Sequence, residues 1–206
     1  MPHDDFAIEP VKGLPELPPE GEHVLWQGRP QTWRLAREAF ALYWVMGYFA
    51  ALGVWRVLAN LDAGLVALRG FLPFAVLALI VGALILAMAA VQARTTVYTV
   101  TNRRVAMRIG AALTVTLNLP YRWIGSADLK LNRDGTGTVV MQLMGTTRLS
   151  YLVCWPHVRP WRMAKTEPAL RAIPDAERVA RLIAEAAETR LTEQVAERGG
   201  LAVAAE

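Results

Sequence analysis

Hydrophobic residues are concentrated in one part of this 206-residue chain. The stretch Phe71–Ala93 is 23 residues long, carries no charge, and has Gln92 as its only strongly polar member. Such a run can cross a hydrocarbon core of about 30 Å as one helix, at about 1.5 Å per residue. A helix of that length in a soluble core would have a polar face, and this one has none. The pattern therefore predicts a transmembrane helix.

A second apolar segment precedes this run. Residues 39–55 carry no charge, and the segment continues past Arg56 to residue 59. Its length is near the lower limit for a span, and the Arg56 side chain at its end can extend to the headgroups. We predict a two-helix transmembrane hairpin with helices at 39–59 and 71–93. Basic residues flank the hairpin more densely than its loop, which predicts that both termini are cytoplasmic.

Small residues recur at four-residue spacing in both predicted helices. The pairs are Gly47 with Ala51, Ala78 with Gly82, and Ala83 with Ala87. This spacing lets helix backbones approach closely. We expect close packing within the hairpin, and the same surfaces leave self-association possible.

The spacing of apolar positions changes after residue 93. Five runs are β-branched or alternate in polarity, and a sixth is possible: 95–101, 105–109, 113–119, 124–131 and 138–143, with 149–154 the possible sixth. Short strands separated by Gly, Asn or Pro predict an antiparallel meander that forms a small barrel or sandwich. From Pro174 onward, apolar positions at helical spacing predict an amphipathic helix that covers it.

The predicted fold class is thus an α+β membrane protein. A two-helix transmembrane hairpin is followed by a small antiparallel β-barrel or sandwich, which a C-terminal α-helix caps. We divide the chain into an N-terminal cytoplasmic segment (1–38), the hairpin (39–93), a cytoplasmic β domain with its helix (94–198) and a tail (199–206).

The net charge of +4 conceals an asymmetry along the chain. Residues 94–171 hold twelve Lys and Arg against three Asp and Glu, whereas residues 1–38 are acidic. Four arginines follow the second predicted span: Arg94, Arg103, Arg104 and Arg108. Each base near an anionic leaflet contributes about 1 kcal/mol. These residues either set the topology alone or also bind headgroups or acidic loops of a client protein. We expect no nucleic-acid binding, since no recognition motif is present.

Residues that could carry catalysis or bind a metal are few. The three histidines all lie outside the predicted spans, and no cluster of His, Cys and carboxylates has the spacing of metal ligands. Cys154 and His157 are close in sequence, but no third residue orients them, so a buried thiol is favoured over a nucleophile. We expect no enzyme activity, no cofactor and no metal. A protein without an intramembrane histidine is also not expected to bind pigment through one.

Several motifs resemble known families. The stretch Tyr98–Arg104 (YTVTNRR) resembles the opening strand and turn of bacterial membrane PH-like domains, which also carry a Gly-Glu…Leu…Arg-Pro element. Here that element is Gly21-Glu22, Leu25 and Gly28-Arg29-Pro30. The stretches Leu152–Trp161 and Thr166–Asp175 are similar to those of PuhB-type photosynthetic complex assembly proteins of purple bacteria. The resemblance implies a PH-like β domain on a two-helix hairpin, and no catalytic residue.

The Leu152–Trp161 stretch also contains candidate contact residues. Trp155 and Trp161 bracket two prolines, with His157 and Arg159 between them. Exposed aromatics with an arginine are favoured at protein interfaces, although Trp in a small barrel is often part of the core. We regard these four residues, with the four arginines, as candidate interaction residues.

The function implied by the resemblance is non-enzymatic. It is that of an inner-membrane, multi-pass assembly factor for the photosynthetic reaction centre and its core light-harvesting complex. The expected partners are reaction-centre and core antenna subunits or other assembly factors, together with membrane lipids. The alternative is a lipid- or headgroup-sensing PH-like membrane protein with a different client.

Overall fold

The computed structural model describes residues 13–14, 16–110, 114–145 and 149–203, with side chains up to residue 193. The acidic residues 1–12, the first residue of the strand predicted at 113–119, and the last three residues of the predicted tail lie outside this part. The chain forms two compact units. One is residues 31–93, and the other joins the residues up to Pro30 with those from Arg94 onward.

The unit of residues 31–93 is helical throughout. It contains α1 (Thr32–Glu38), α2 (Leu42–Leu58), a 3-10 helix (Leu61–Phe71) and α3, which runs to the end of the unit and beyond (Leu72–Thr95). The chain bends by 58° between α1 and α2, where Ala41 has a left-handed backbone with φ of 53°. The residues predicted as a connecting loop, 60–70, form mostly the 3-10 helix.

The two-helix transmembrane hairpin is not confirmed. Among the described residues, one helical stretch, Leu61–Thr95, is long and apolar enough to cross a membrane. Its backbone departs from helical geometry at Gly64, which has φ of 59°. A second span exists only if α1 and α2 are counted together across their bend. The helix predicted at 39–59 is shorter than expected because Ala41 interrupts it.

Close packing within this unit involves only some of the small residues. Gly82 of α3 faces the Met46 side chain, where an added Cβ would lie 3.2 Å from Cε. Gly53 lies against the Phe71 ring, and a Cβ added at Gly53 would be 2.4 Å from a ring carbon. By contrast, a Cβ on Gly47 would meet nothing within 4 Å. The four-residue spacing therefore identified one packing position, Gly82, but not the role of Gly53.

The other unit is built from two antiparallel sheets. The first has the order β1-β2-β3-β4 and the second the order β5-β6-β7. The strands are β1 (Val24–Gly28), β2 (Val97–Thr101), β3 (Arg104–Ile109), β4 (Val115–Pro120), β5 (Ile124–Leu131), β6 (Gly137–Leu143) and β7 (Ala169–Ile173). The sequence located β2 to β6 and missed β1 and β7. The possible strand at 149–154 is wrong, since Tyr151–Cys154 form the short helix α4.

Strand β1 belongs to this unit although it precedes residues 31–93. It pairs antiparallel with β2, with Gly28 opposite Tyr98 and Val24 opposite Thr101. The β unit is therefore assembled from both sides of the helical unit. The segment 1–38, predicted as a separate N-terminal piece, contributes an edge strand to the β domain.

A single apolar core joins the two sheets and the last helix, α5 (Ala176–Val203). Fully buried members include Tyr98 and Met107 from the first sheet, Met141 and Leu170 from the second, and Ile183 from α5. A core shared by two sheets is that of a sandwich. Closure into a barrel is not confirmed, because no pairing joins the two sheets among the described strands. Helix α5 also continues past the start of the predicted tail.

Candidate functional site

The four candidate arginines after α3 do not form one patch. Arg94 lies just before β2, and Arg108 of β3 is opposite Val97, the first residue of that strand. Arg103 and Arg104 lie at the far end, in and after the β2–β3 turn. The five residues of β2, at about 3.3 Å each, separate the two groups by more than about 13 Å. The four arginines therefore form two groups at opposite ends of β2.

One pair of arginines does meet at a pocket. Arg94 and Arg29 line a cavity of about 200 Å³ together with Gln27, Gly28, Thr96 and Val97. The pairing of β1 with β2 brings these residues together, since Gly28 lies opposite Tyr98. Both arginines are exposed, and neither has an ion pair within the described residues. Two guanidinium groups beside one cavity can bind a carboxylate or phosphate through paired hydrogen bonds.

Sequence reasoning did not assign Arg29 to this site. Arg29 stands in the Gly28-Arg29-Pro30 element, which was assigned to a family motif and to membrane topology. Its functional neighbour, Arg94, lies 65 residues away in the sequence. Only the β1–β2 pairing joins them, and β1 is too short to be predicted from its own pattern.

Arg104 is committed to a structural ion pair. Its Nε lies 2.9 Å from Oε1 of Glu22, whose side chain is only 3% exposed. The Thr101 hydroxyl lies 2.9 Å from the same oxygen. Asn102 donates to the Gly21 carbonyl at 2.8 Å and accepts from the His23 amide at 3.0 Å. Two motifs about eighty residues apart in sequence are therefore one hydrogen-bonded cluster in the structure.

Tyr121 fixes the strand next to this cluster. Its hydroxyl donates to the Thr101 carbonyl at 2.6 Å. Burial, followed by the nearby Glu22 carboxylate, raises the pKa of Tyr121 above its usual range. The phenol therefore stays protonated and remains a donor at physiological pH.

His157 is buried in the core rather than on the surface. Its Nδ1 lies 2.6 Å from the Tyr98 hydroxyl and its Nε2 lies 3.1 Å from Oγ1 of Thr96. The Tyr98 oxygen also accepts from the Arg171 amide at 3.3 Å, so its own proton is donated to Nδ1. The ring proton then lies on Nε2 and points to Thr96. The expectation that His157 contacts a partner is wrong for its side chain.

Burial explains the protonation of this cluster. It lowers the pKa of His157 to about 3, with the positive charge of Arg171 adding to the effect. Burial likewise raises the pKa of Tyr98 above its usual range. Burial also raises the pKa of the Cys154 thiol, which therefore stays protonated. Cys154 and His157 do not form a nucleophile and base, because both ring nitrogens have other partners.

The remaining candidate residues lie on a loop at the unit's surface. The amide of Arg159 donates to the Glu167 carbonyl at 2.9 Å, and Val158 bridges to Pro168. Beyond this base, Trp161 is 88% exposed, whereas Trp155 is 41% exposed. The structure therefore brings Arg159 and Trp161 onto one surface loop, outside the first sheet, whose strand β3 contains Arg104 and Arg108.

Across the part of the chain that the structure describes, no group of three His, Cys, Asp or Glu side chains could hold a metal ion.

Comparison with known proteins gives two matches. The model of the family described as "Bacterial PH domain" matches residues 43–187. The chain is also 44% identical over 197 residues to an uncharacterized 23.7 kDa protein in the puhA 5' region of Rhodobacter capsulatus. That alignment covers 94% of this chain and 92% of the relative. No solved structure matches the chain.

Proposed function

We infer a function from the premise that this chain belongs to the bacterial PH domain family, and we propose that it is a membrane-anchored assembly factor. Its clients are the photosynthetic reaction centre and its core light-harvesting complex. It acts without catalysis, by holding its PH-like unit where subunits of these complexes meet it in the inner membrane.

The observation that carries the proposal is the relative in the puhA 5' region, with which the chain shares 44% identity over nearly its whole length. Identity at that level over the full chain favours a shared role. The resemblance of Leu152–Trp161 and Thr166–Asp175 to assembly proteins of purple bacteria supports the same role.

The strand order of the β unit supports an anchored topology with both termini on one side. Strands β1 and β2 are hydrogen-bonded neighbours, and the chain between them contains the long apolar helix. Folded β1 and β2 must lie on the same side of any membrane that this segment enters. We therefore propose that the segment 31–93 crosses an even number of times, which α3 would satisfy together with α1 and α2 taken as one span across their bend.

The pocket of Arg29 and Arg94 is the contact site that fits this role best. Its arginines directly flank the helical unit and have no carboxylate partner within the described residues. An acidic side chain or chain terminus of a client subunit supplies the missing charge, in a bidentate pairing with either guanidinium. The rigid hydrogen-bonded cluster around Glu22 holds the strands that present both side chains.

Affinity capture from solubilised membranes of a photosynthetic culture tests this function. The tagged chain should retain reaction-centre or core antenna subunits, identified by mass spectrometry, and R29Q/R94Q should retain several-fold less. The control is R133Q, which removes one exposed arginine in the β5–β6 turn and should retain as much as the parent. Absence of those subunits from the parent capture would contradict the proposal.

The same pocket favours a second function, sensing of anionic headgroups. Two arginines beside a cavity bind a lipid phosphate by the same pairing as a carboxylate. If this is the function, purified full-length chain carries more anionic phospholipid than R29Q/R94Q does, while R133Q matches the parent. The full chain is required, since a fragment starting at Arg94 would lack β1. Equal lipid content in all three proteins would exclude this alternative.

A further inference from the structure

The loop of residues 160–165, here the Trp161 loop, has an unusual surface. All six residues are exposed, and they include Trp161 at 88% and Met163 at 63% exposure. Large apolar side chains are seldom left this exposed without a partner. Trp161 also has a left-handed backbone, with φ of 65°. A bulky residue in that region costs about 1–2 kcal/mol, which the rest of the loop must offset.

A buried carboxylate holds the loop in this shape. Glu167, 3% exposed, lies 3.1 Å from Nη1 of Arg159 and 3.7 Å from Nη1 of Arg162. Arg159 also lies 3.1 Å from Asp128 of β5. These ion pairs connect both sides of Trp161 to Glu167, and Arg159 also connects the base of the loop to β5.

The charge of the loop is positive. Arg162 and Lys165 flank the apolar side chains, and the loop itself contains no acidic residue. The next acid in the sequence, Glu167, is buried and lies 3.1 Å from Arg159 and 3.7 Å from Arg162, so Lys165 is the loop cation that no described carboxylate pairs. Tryptophan beside cationic side chains is the composition that favours the interface of an anionic membrane.

The base of the loop is attached close to the end of the apolar helix. Thr95 ends α3, and the next residue, Thr96, lies within 3.1 Å of the His157 ring. Trp161 follows His157 by four residues, so it lies within about 14 Å of it along the chain. The interfacial layer on each side of the hydrocarbon core is about 5–8 Å thick. The chain from His157 to Trp161 is long enough to extend into such a layer if the layer lies at the end of α3.

We propose that the Trp161 loop inserts into the headgroup layer of the membrane. Trp161 and Met163 enter the boundary between headgroups and acyl chains, while Arg162 and Lys165 contact anionic headgroups. The loop is thus a second attachment of the β unit, in addition to α3, and it fixes the orientation of that unit on the bilayer. This inference does not depend on the identity of the client.

Spin labelling of the full-length chain in lipid nanodiscs tests the insertion. A label is attached at M163C and, as a matched control on α5, at L191C, which replaces a side chain with 47% exposure. The native Cys154 is buried and should stay unlabelled, which the parent chain checks. In nanodiscs with anionic lipid, the label at 163 should have a several-fold higher ratio of oxygen to nickel-chelate accessibility than the label at 191.

Changing the lipid composition or removing loop charge tests whether attraction to anionic headgroups contributes to the insertion. The ratio at 163 should fall in purely zwitterionic nanodiscs. In anionic nanodiscs K165Q should reduce it, because this substitution removes a loop cation that does not contact Glu167. Equal ratios at 163 and 191 in both compositions would overturn the proposal. A high ratio for the label at 163 in native membranes, but not in nanodiscs that contain no other protein, would also overturn the proposal. A contact with another protein would then be the cause.

Discussion

Tyr98 and His157 illustrate how single residues of the family motifs act in this chain. Both belong to stretches that resemble known families, and both are fully buried and hydrogen-bonded to each other. Glu22 and Asn102 likewise link the Gly21-Glu22 element to the Tyr98–Arg104 stretch. The residues that these motifs share with known families therefore form hydrogen bonds inside the β unit. The exposed candidates Arg29, Arg94 and Trp161 are not part of these hydrogen bonds but are close to them in the sequence.

His157 makes stability depend on pH. Burial lowers its pKa to about 3 in the folded chain, and an unfolded histidine titrates near about 6.5. Between these values the unfolded chain binds more protons, so the free energy of unfolding falls as the pH falls below about 6.5. The slope is at most about 1.4 kcal/mol per pH unit.

The variant H157Q should lose this slope, measured by thermal unfolding between pH 6.5 and 5, above the range in which most carboxylates titrate. His3 and His23 are present in both proteins and cancel in the comparison. The same slope in the variant as in the parent would rule out His157 as its origin.

Glu22 should contribute strongly to stability. The substitution E22A leaves Arg104 without its carboxylate and removes an acceptor from Thr101, and we expect a loss of about 2 kcal/mol. The matched control E20A changes an exposed acid two residues away and should cost less than about 0.5 kcal/mol. Denaturant unfolding of both variants in detergent measures the difference, and similar losses would contradict the role given to Glu22.

At the scale of elements, the sequence located strands whose own residues alternate. β5 was predicted with its observed bounds, Ile124–Leu131, and β6 within one residue. β1 was missed because its five residues depend on a partner about seventy positions away. β7 was missed because Pro168 and Pro174 flank it and suggest an extended connection. The residues of α4 (Tyr-Leu-Val-Cys) favour a strand by propensity, and tertiary packing decided otherwise.

The pairing of β1 with β2 predicts which pieces of the chain can fold alone. Residues 94–206 should not fold, because they lack β1 and Glu22. A chain that joins residues 1–30 to 94–206 through a short Gly/Ser linker should fold, since Gly28 and Tyr98 are already adjacent. Dispersion of amide signals in NMR spectra distinguishes the two. A well-dispersed spectrum from 94–206 alone would contradict the account.

At the scale of the molecule, the candidate sites divide between two places in the β unit. The Arg29–Arg94 pocket lies where the chain leaves and re-enters this unit, and the Trp161 loop is tied through His157 to the start of β2. Neither arrangement could be read from the sequence, because each depends on strand pairing or burial between distant segments. The sequence did identify Arg94, Arg159 and Trp161 as candidates, from their charge and residue type.

The pairing of β1 with β2 also leads to a prediction about membrane topology. Since β1 and β2 share a sheet, both ends of residues 31–93 should lie on one side of the membrane. Reporter fusions at the N-terminus, at Gly64 and at the C-terminus test this, with the two terminal reporters expected to agree and to be cytoplasmic. Termini on opposite sides would contradict an even number of crossings.

A protein that helps to build the photosynthetic reaction centre and its core antenna should limit the amount of these complexes in the membrane. The most direct measurement is the amount of assembled complex, from near-infrared absorption of membranes, in a strain that lacks this gene. We predict several-fold less assembled complex with unchanged transcripts of the subunit genes, restored when the gene is put back. Normal amounts of assembled complex in the deletion strain would contradict the account.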